Sequence, residues 1–134
     1  MKKKSKWKKC TQNTGNRSSK PHEWLYMNPT KVSVKEIAAG LLDLESVKPQ
    51  VWEAAGVLEI ELTEAKSIDI EQTQVDLRDE YSNEFLQSHQ VEALFYVTID
   101  PENYEAVEQI MKTVVAQTGG FFCGDTENFE PVVK

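Results

Sequence analysis

The chain has 134 residues, an apolar fraction of 40% and a formal net charge of −7, which suits a single folded domain. It contains no apolar run of the roughly 18 to 20 residues that a helix needs to cross a bilayer, and no apolar stretch follows its basic start as in a signal peptide. The two cysteines have neither zinc-ligand nor disulfide-scaffold spacing, so we expect free thiols and a cytoplasmic location.

Charge is divided unevenly along the chain. Residues 1–20 carry eight basic side chains and no acidic one. Residues 21–134 carry seven basic and 22 acidic side chains, which gives a formal charge of −15. The first segment is also poor in apolar residues, and such segments cannot offset the entropy lost on ordering. We therefore predict a disordered basic tail over 1–20 and a single acidic α+β domain over 21–134.

The acidic domain is predicted to begin with a strand and a helix. Residues 23–27 are rich in aromatic side chains and indicate a short first strand or a packing segment. Ser33 and Glu36 have the spacing of a capping box, and apolar residues then recur at helical spacing as far as Leu44. Gly40 weakens this helix relative to alanine, so we expect it to mark a close packing contact.

A β-hairpin is the sharpest signal in the sequence. Residues 57–62 and 67–71 alternate between apolar and polar side chains, and a loop of hairpin length joins them. Because side chains alternate along a strand, the face opposite the apolar one carries four carboxylates, those of Glu59, Glu61, Asp69 and Glu71. Antiparallel pairing sets these carboxylates opposite one another, which costs up to about 1 kcal/mol for a direct pair.

In the rest of the domain the sequence predicts a helix, a strand, a second helix and a last strand, in that order. A short helix is expected over 78–87. The nearly continuous apolar run at 91–99 is typical of a central strand buried on both faces. Asp100-Pro101 has the chemistry of a helix start, and Gly119-Gly120 that of a helix end. A last short strand follows at 121–123.

The order of these elements indicates an α+β fold. We expect a mostly antiparallel sheet of about four to five strands with two or three helices on one face. The segment 57–123 is compatible with a ferredoxin-like split unit.

Three interpretations of the acidic hairpin remain open. Between residues 59 and 84 there are nine acidic side chains and two basic ones, whereas soluble surfaces generally mix the two signs. The region is a solvated face that maintains solubility, a docking surface for a basic partner, or a divalent-metal site built from converging oxygens. No histidine joins the carboxylates and no known loop spacing is present, so we assign no metal and no cofactor.

No catalytic residues are assigned from the sequence. A cysteine–histidine pair would have to combine Cys123 with His89 or His22. Cys123 follows two phenylalanines on a predicted strand, which favours a buried structural thiol. His89 is expected in a surface loop, so we lean toward a protein without enzymatic activity.

The leading hypothesis is a non-enzymatic, acidic protein-binding module. In size and charge the chain resembles the bacterial immunity proteins that neutralise basic nuclease toxins. That resemblance implies an inhibitor that is steered by charge to a basic partner and occludes its active site. The residues assigned to partner binding are Glu59, Glu61, Asp69, Glu71, Asp79 and Glu80, with Tyr81 and Phe85 as anchors.

Two alternatives come from other classes of protein. One is a metal-binding protein or enzyme that uses the clustered carboxylates. The other is a nucleic-acid-associated protein acting through its tail, because six lysines and Trp7 lie within the first nine residues. The same tail is complementary in charge to the acidic face of its own domain.

Overall fold

The computed structural model describes residues 20–45, 47–62 and 66–134. Within these residues, seven strands form one antiparallel sheet in the order β2-β3-β4-β5-β1-β6-β7. The strands are β1 (Glu23–Asn28), β2 (Lys48–Trp52), β3 (Val57–Glu61), β4 (Ser67–Thr73), β5 (Ala93–Thr98), β6 (Phe121–Gly124) and β7 (Val132–Val133). The helices are α1 (Val34–Ala39), α2 (Glu80–Ser88) and α3 (Tyr104–Thr118), with 3-10 turns at Glu53–Ala55 and Pro101–Asn103. The tail predicted over 1–20 lies outside the described residues except for Lys20.

The α+β class is confirmed, but the predicted four to five strands are too few. Sequence reasoning missed β2 and β7. The strand β2 contains Pro49, whose missing backbone N–H argues against a strand in the sequence. A proline is tolerated at a sheet edge, and β2 lies at such an edge. The strand β7 has two residues, too few for an alternating pattern to be recognised.

Two of the three helices share one face of the sheet as predicted, but the third lies on the opposite face. Helices α1 and α3 pack on the face that carries Trp24 and Phe95. Helix α2 packs through Leu86 on the opposite face, against Leu25 and Leu94. Because Leu94 and Phe95 are neighbours in β5, both faces of the central strand are apolar there and both need a cover.

The capping residues identified in the sequence lie at or near the starts of the helices. Ser33 and Glu36 form the predicted capping box, with Ser33 N donating to Glu36 Oε1 at 2.9 Å and Glu36 N donating to Ser33 Oγ at 3.3 Å. Helix α1 ends at Ala39, earlier than the predicted Leu44, and the chain continues through turns bonded from i+3 to i. Asp100 caps a 3-10 turn, and α3 begins only after that turn.

Gly40 lies where α1 approaches α3. A Cβ atom added to Gly40 would be 2.9 Å from Cβ of Gln117, on the last turn of α3. The expectation of a close packing contact at this glycine is confirmed.

A buried polar network joins β1 to the end of α3. Asn28 is 1% exposed, and its Nδ2 donates to the hydroxyl of Tyr26 at 2.9 Å and to Thr118 O at 3.1 Å. The hydroxyl of Tyr26 in turn donates to Gly119 O. Burial raises the pKa of Tyr26 to about 12, although the hydrogen bond from Asn28 acts in the opposite direction.

Candidate functional site

One half of the sheet has an uncovered face. Helix α2 covers that face over β1, β5 and β6, where Leu25, Leu94 and Cys123 are buried. Over β2, β3 and β4 the same face is exposed or half-buried. We call this half, together with the exposed ends of β5 and β1 beside it, the open face; its outward side chains are Glu23, Lys48, Gln50, Trp52, Val57, Glu59, Glu61, Ser67, Asp69, Glu71, Thr73, Tyr96 and Thr98.

Strand register arranges these side chains in rows that run across the sheet. Residues directly opposite one another on neighbouring strands lie about 5 Å apart. One row is polar and crosses β2, β3, β4, β5 and β1 through Gln50, Glu59, Asp69, Thr98 and Glu23. The adjacent row is largely apolar and runs through Trp52, Val57, Glu71 and Tyr96 before reaching the buried Leu25. The open face therefore places a carboxylate row beside an aromatic one.

The hairpin register brings one pair of carboxylates together. Glu59 lies directly opposite Asp69. Glu61 is opposite Ser67 on one side and Lys48 on the other, and Glu71 is opposite Val57. The expectation that carboxylates face carboxylates therefore applies to Glu59 and Asp69, whereas Glu61 has a cation as its cross-strand neighbour.

The remaining acidic residues of the predicted site belong to helix α2 rather than to the sheet. Asp79 is the N-cap, and its side chain accepts from Ser82 N at 2.9 Å. That bond stabilises the charged carboxylate and lowers the pKa of Asp79. Glu80 occupies the first turn, where the helix dipole favours an acid. Both residues thus have a local structural role in starting the helix.

The two predicted anchors differ in exposure. Tyr81 is 58% exposed and stacks on Phe129 with ring centroids 6.2 Å apart. Phe85 is half-buried and stacks on both Phe129 and His89, each at 4.2 Å. Tyr81 is available to a partner, whereas Phe85 packs mainly within the protein.

Tyr96 connects the open face to the loop that precedes α2. It is 39% exposed and lies in the row that contains Trp52. Burial raises its pKa, with a further contribution from the charge of Asp125; Arg78, just before α2, acts in the opposite direction. The charges of Glu71 on the hairpin and of Arg78 before α2 thus both act on the Tyr96 hydroxyl.

Several open-face residues were missed by sequence reasoning. Trp52 and Gln50 belong to β2, which the sequence did not reveal. Tyr96 and Thr98 lie two and four residues after Leu94 in β5, so alternation places them on the face of Leu94. This alternation could be read from the sequence, but it identifies Tyr96 and Thr98 as exposed only when the uncovered half of the sheet is known.

A concave region lies beside α2. It has a volume of about 710 Å³, and its polar lining includes Asp76, Asn83, Gln87 and Glu92. The carboxylate of Asp76 accepts from Asn83 Nδ2 and from the backbone N of Arg78, both at 3.1 Å. The Arg78 amide, followed by the Asn83 side chain, lowers the pKa of Asp76. This wall of the region is also acidic.

Metal-ligating and nucleophilic groups were also located. No three acidic, histidine or cysteine side chains in the described ranges converge as a metal site. Cys123 is fully buried, and burial raises the pKa of its thiol to about 12. The ring of His89 packs on Phe85, and its Nδ1 lies 2.9 Å from Phe85 O. At neutral pH the Cys123 thiol is therefore protonated.

No known protein family, curated protein or solved structure matches the chain. Among the described helices, none is both long and apolar enough to cross a membrane. The residues of the open face are therefore the basis on which function is inferred.

Proposed function

We propose that the open face is a docking surface for a basic protein, and that the chain is a non-enzymatic module that occludes this partner. The observation that carries the proposal is the row in which Glu59 and Asp69 are adjacent and Glu23 closes the far end. Across the whole open face there are five carboxylates and one ammonium group, that of Lys48.

Stability alone does not favour this arrangement. Like charges that face each other across a ladder are destabilising by a few tenths of a kcal/mol to about 1 kcal/mol. An exposed sheet face selected only for folding and solubility would mix lysines with the acids. A face of one sign instead raises the rate of encounter with a partner of the opposite sign.

The aromatic row supplies apolar area that a partner can bury, which charged side chains alone do not provide. Trp52 is 48% exposed and Tyr96 is 39% exposed. Large aromatic side chains are the usual anchors of protein interfaces because they bury much area at a small cost in entropy. In this proposal the carboxylates guide the partner and the aromatic side chains bind it after water is excluded.

The size of the surface indicates how far the interface extends. Five strands about 4.8 Å apart span about 19 Å, and five residues at about 3.3 Å span about 16 Å, so the face covers on the order of 300 Å². A standard interface covers about 800 Å² on each partner. A stable complex therefore needs the adjoining start of α2, which supplies Asp79, Glu80 and Tyr81 at the rim.

The proposal is tested by capture experiments with matched baits. The wild-type chain should retain a basic protein at low salt and release it at about 1 M salt, where the Debye length is about 3 Å. A Glu59→Lys, Asp69→Lys bait should not retain it. A control bait with Glu102→Lys and Glu105→Lys on the opposite side of the sheet has the same net charge and should behave as wild type. Equal retention by both variants would rule the proposal out.

We also propose a ferredoxin-like interpretation of the core. The elements β1, α1, β4, β5, α3 and β6 follow the order β-α-β-β-α-β, and their strands are arranged as β6-β1-β5-β4. This unit requires β1, so it begins well before residue 57. In this interpretation the β2-β3 hairpin is an insertion that widens the open face and adds Trp52 and Glu59 to it.

A further inference from the structure

The described chain enters the sheet at one end of the carboxylate row. Lys20 is the first described residue, and β1 begins three residues later at Glu23. Glu23 is itself the last member of the row, directly opposite Thr98. Residues 1–19 are therefore attached next to the row.

The segment is long enough to reach every position of the row. Five strands span about 19 Å from the first to the last. Nineteen residues extend to about 60 Å. Lys20 lies toward the helical side, with Nζ 5.1 Å from the centroid of the Tyr104 ring. The length of the segment leaves ample chain to pass around the end of the sheet.

The segment and the face are complementary in charge. Residues 1–19 carry seven basic side chains and no acid, and six of those are lysines within the first nine residues. The ion pairs Lys66–Asp100 and Lys112–Glu108 use no carboxylate of the open face. A tethered segment also has an effective concentration of about millimolar, which makes weak contacts significant.

We propose that residues 1–19 bind the open face of their own domain, so that the segment and a basic partner compete for the same carboxylates. The inference rests on the proposed function only in taking the open face as a docking surface. Its consequence is regulatory. A partner meets a free face for only part of the time, and its apparent affinity is reduced by that fraction.

The chain provides a natural probe for this contact. Cys10 lies next to the lysines, and Cys123 is fully buried with a raised thiol pKa. A thiol-reactive nitroxide added at neutral pH therefore labels Cys10 in the folded, full-length chain. Paramagnetic broadening of backbone amide signals then reports which surface lies close to residue 10.

We expect the amides of Glu59, Asp69 and Glu71 to lose most of their intensity, and those of α3 to keep it. The loss should disappear at about 1 M salt and in a Glu59→Gln, Asp69→Asn variant. It should persist in a matched Glu102→Gln, Glu105→Gln variant. Mixing nitroxide-labelled chain with isotope-labelled, nitroxide-free chain should give no broadening, because the contact is intramolecular.

Broadening that is absent, uniform or confined to the helical side would overturn the inference. The experiment contains no partner, so its outcome is separate from that of the capture experiment. If the segment binds the open face but no basic partner is captured, the intramolecular contact stands, and the competition falls together with the proposed function. If a basic partner is captured but the open face shows no broadening, the proposed function stands and this inference falls.

Discussion

Glu59 and Asp69 lie directly opposite each other on β3 and β4, at the centre of an exposed sheet face. Their neighbours in the same row are polar, and the adjacent row contains Trp52 and Tyr96. Two carboxylates in this position repel each other unless a cation lies beside them. In the proposed complex a basic partner would neutralise both and relieve this repulsion, so the pair would couple folding stability to binding.

Neutralising either member of this pair should stabilise the free protein. In a chain shortened to residues 20–134, which lacks the basic segment proposed to bind these carboxylates, we expect Glu59→Gln or Asp69→Asn to raise the free energy of unfolding by about 0.2 to 1 kcal/mol, since each removes the repulsion and preserves shape. Urea denaturation at low salt measures the change, and the gain should shrink at about 1 M salt. A control, Glu127→Gln in an exposed turn, should have little effect. Destabilisation by both substitutions would contradict the repulsion.

Adding a methyl group at Gly40 should destabilise the contact between α1 and α3. Alanine is the better helix former, but its Cβ would lie 2.9 Å from Cβ of Gln117. We expect Gly40→Ala to lower the free energy of unfolding by about 1 to 3 kcal/mol, as overpacking does. Combining it with Gln117→Gly should recover part of the loss, and additive effects in this double-mutant cycle would show that the two residues do not clash.

The ion pair between Lys66 and Asp100 should give a pH-dependent contribution to stability. Lys66 Nζ lies 2.7 Å from Asp100 Oδ2, and this bond lowers the pKa of Asp100. A lowered pKa favours the charged form in the folded state. Its contribution is therefore present above the unfolded pKa of about 3.9 and is lost as the pH falls through the folded value.

Asp100→Asn isolates that contribution because asparagine caps helices as well as aspartate does. We expect the variant to be less stable than wild type at neutral pH and equally stable well below pH 4. Urea denaturation at several pH values checks this. A difference that stays constant from neutral to acidic pH would contradict the ion-pair explanation.

The Tyr26 hydroxyl should control stability in alkaline solution. Its pKa is raised from 10.0 to about 12 by burial. The neutral phenol is favoured in the folded state, so its contribution is present below pH 10 and lost as the pH rises through about 12. Tyr26→Phe should cost about 1 to 3 kcal/mol at neutral pH, because Asn28 and Gly119 lose a partner. That difference should disappear between pH 10 and 12, and a difference independent of pH would refute this role.

Elements with local causes were predictable from the sequence. The capping box of Ser33 and Glu36 and the cap at Asp100 each depend on residues a few positions apart. The alternation at 57–62 and 67–71 identified the hairpin and its acidic face. In these cases short-range chemistry and the final structure agree.

The features that the sequence did not reveal depend on contacts between residues that are far apart in the chain. Asn28 and Tyr26 bond to Thr118 and Gly119, about ninety residues away. The carboxylate row exists only because β1 lies beside β5, which places Glu23 near Asp69 through Thr98. Alternation indicates which side chains share a face, but not which strands are neighbours.

The placement of Pro49 has a consequence for self-association. A strand at a sheet edge offers unpaired amides on which another chain can add, which is the usual start of aggregation. Here the β2 edge contains a proline beside Lys48, and the opposite edge is the two-residue β7. Both borders of the sheet are thus poor templates for strand addition. The faces of the sheet, rather than its edges, are therefore what this domain offers to another molecule.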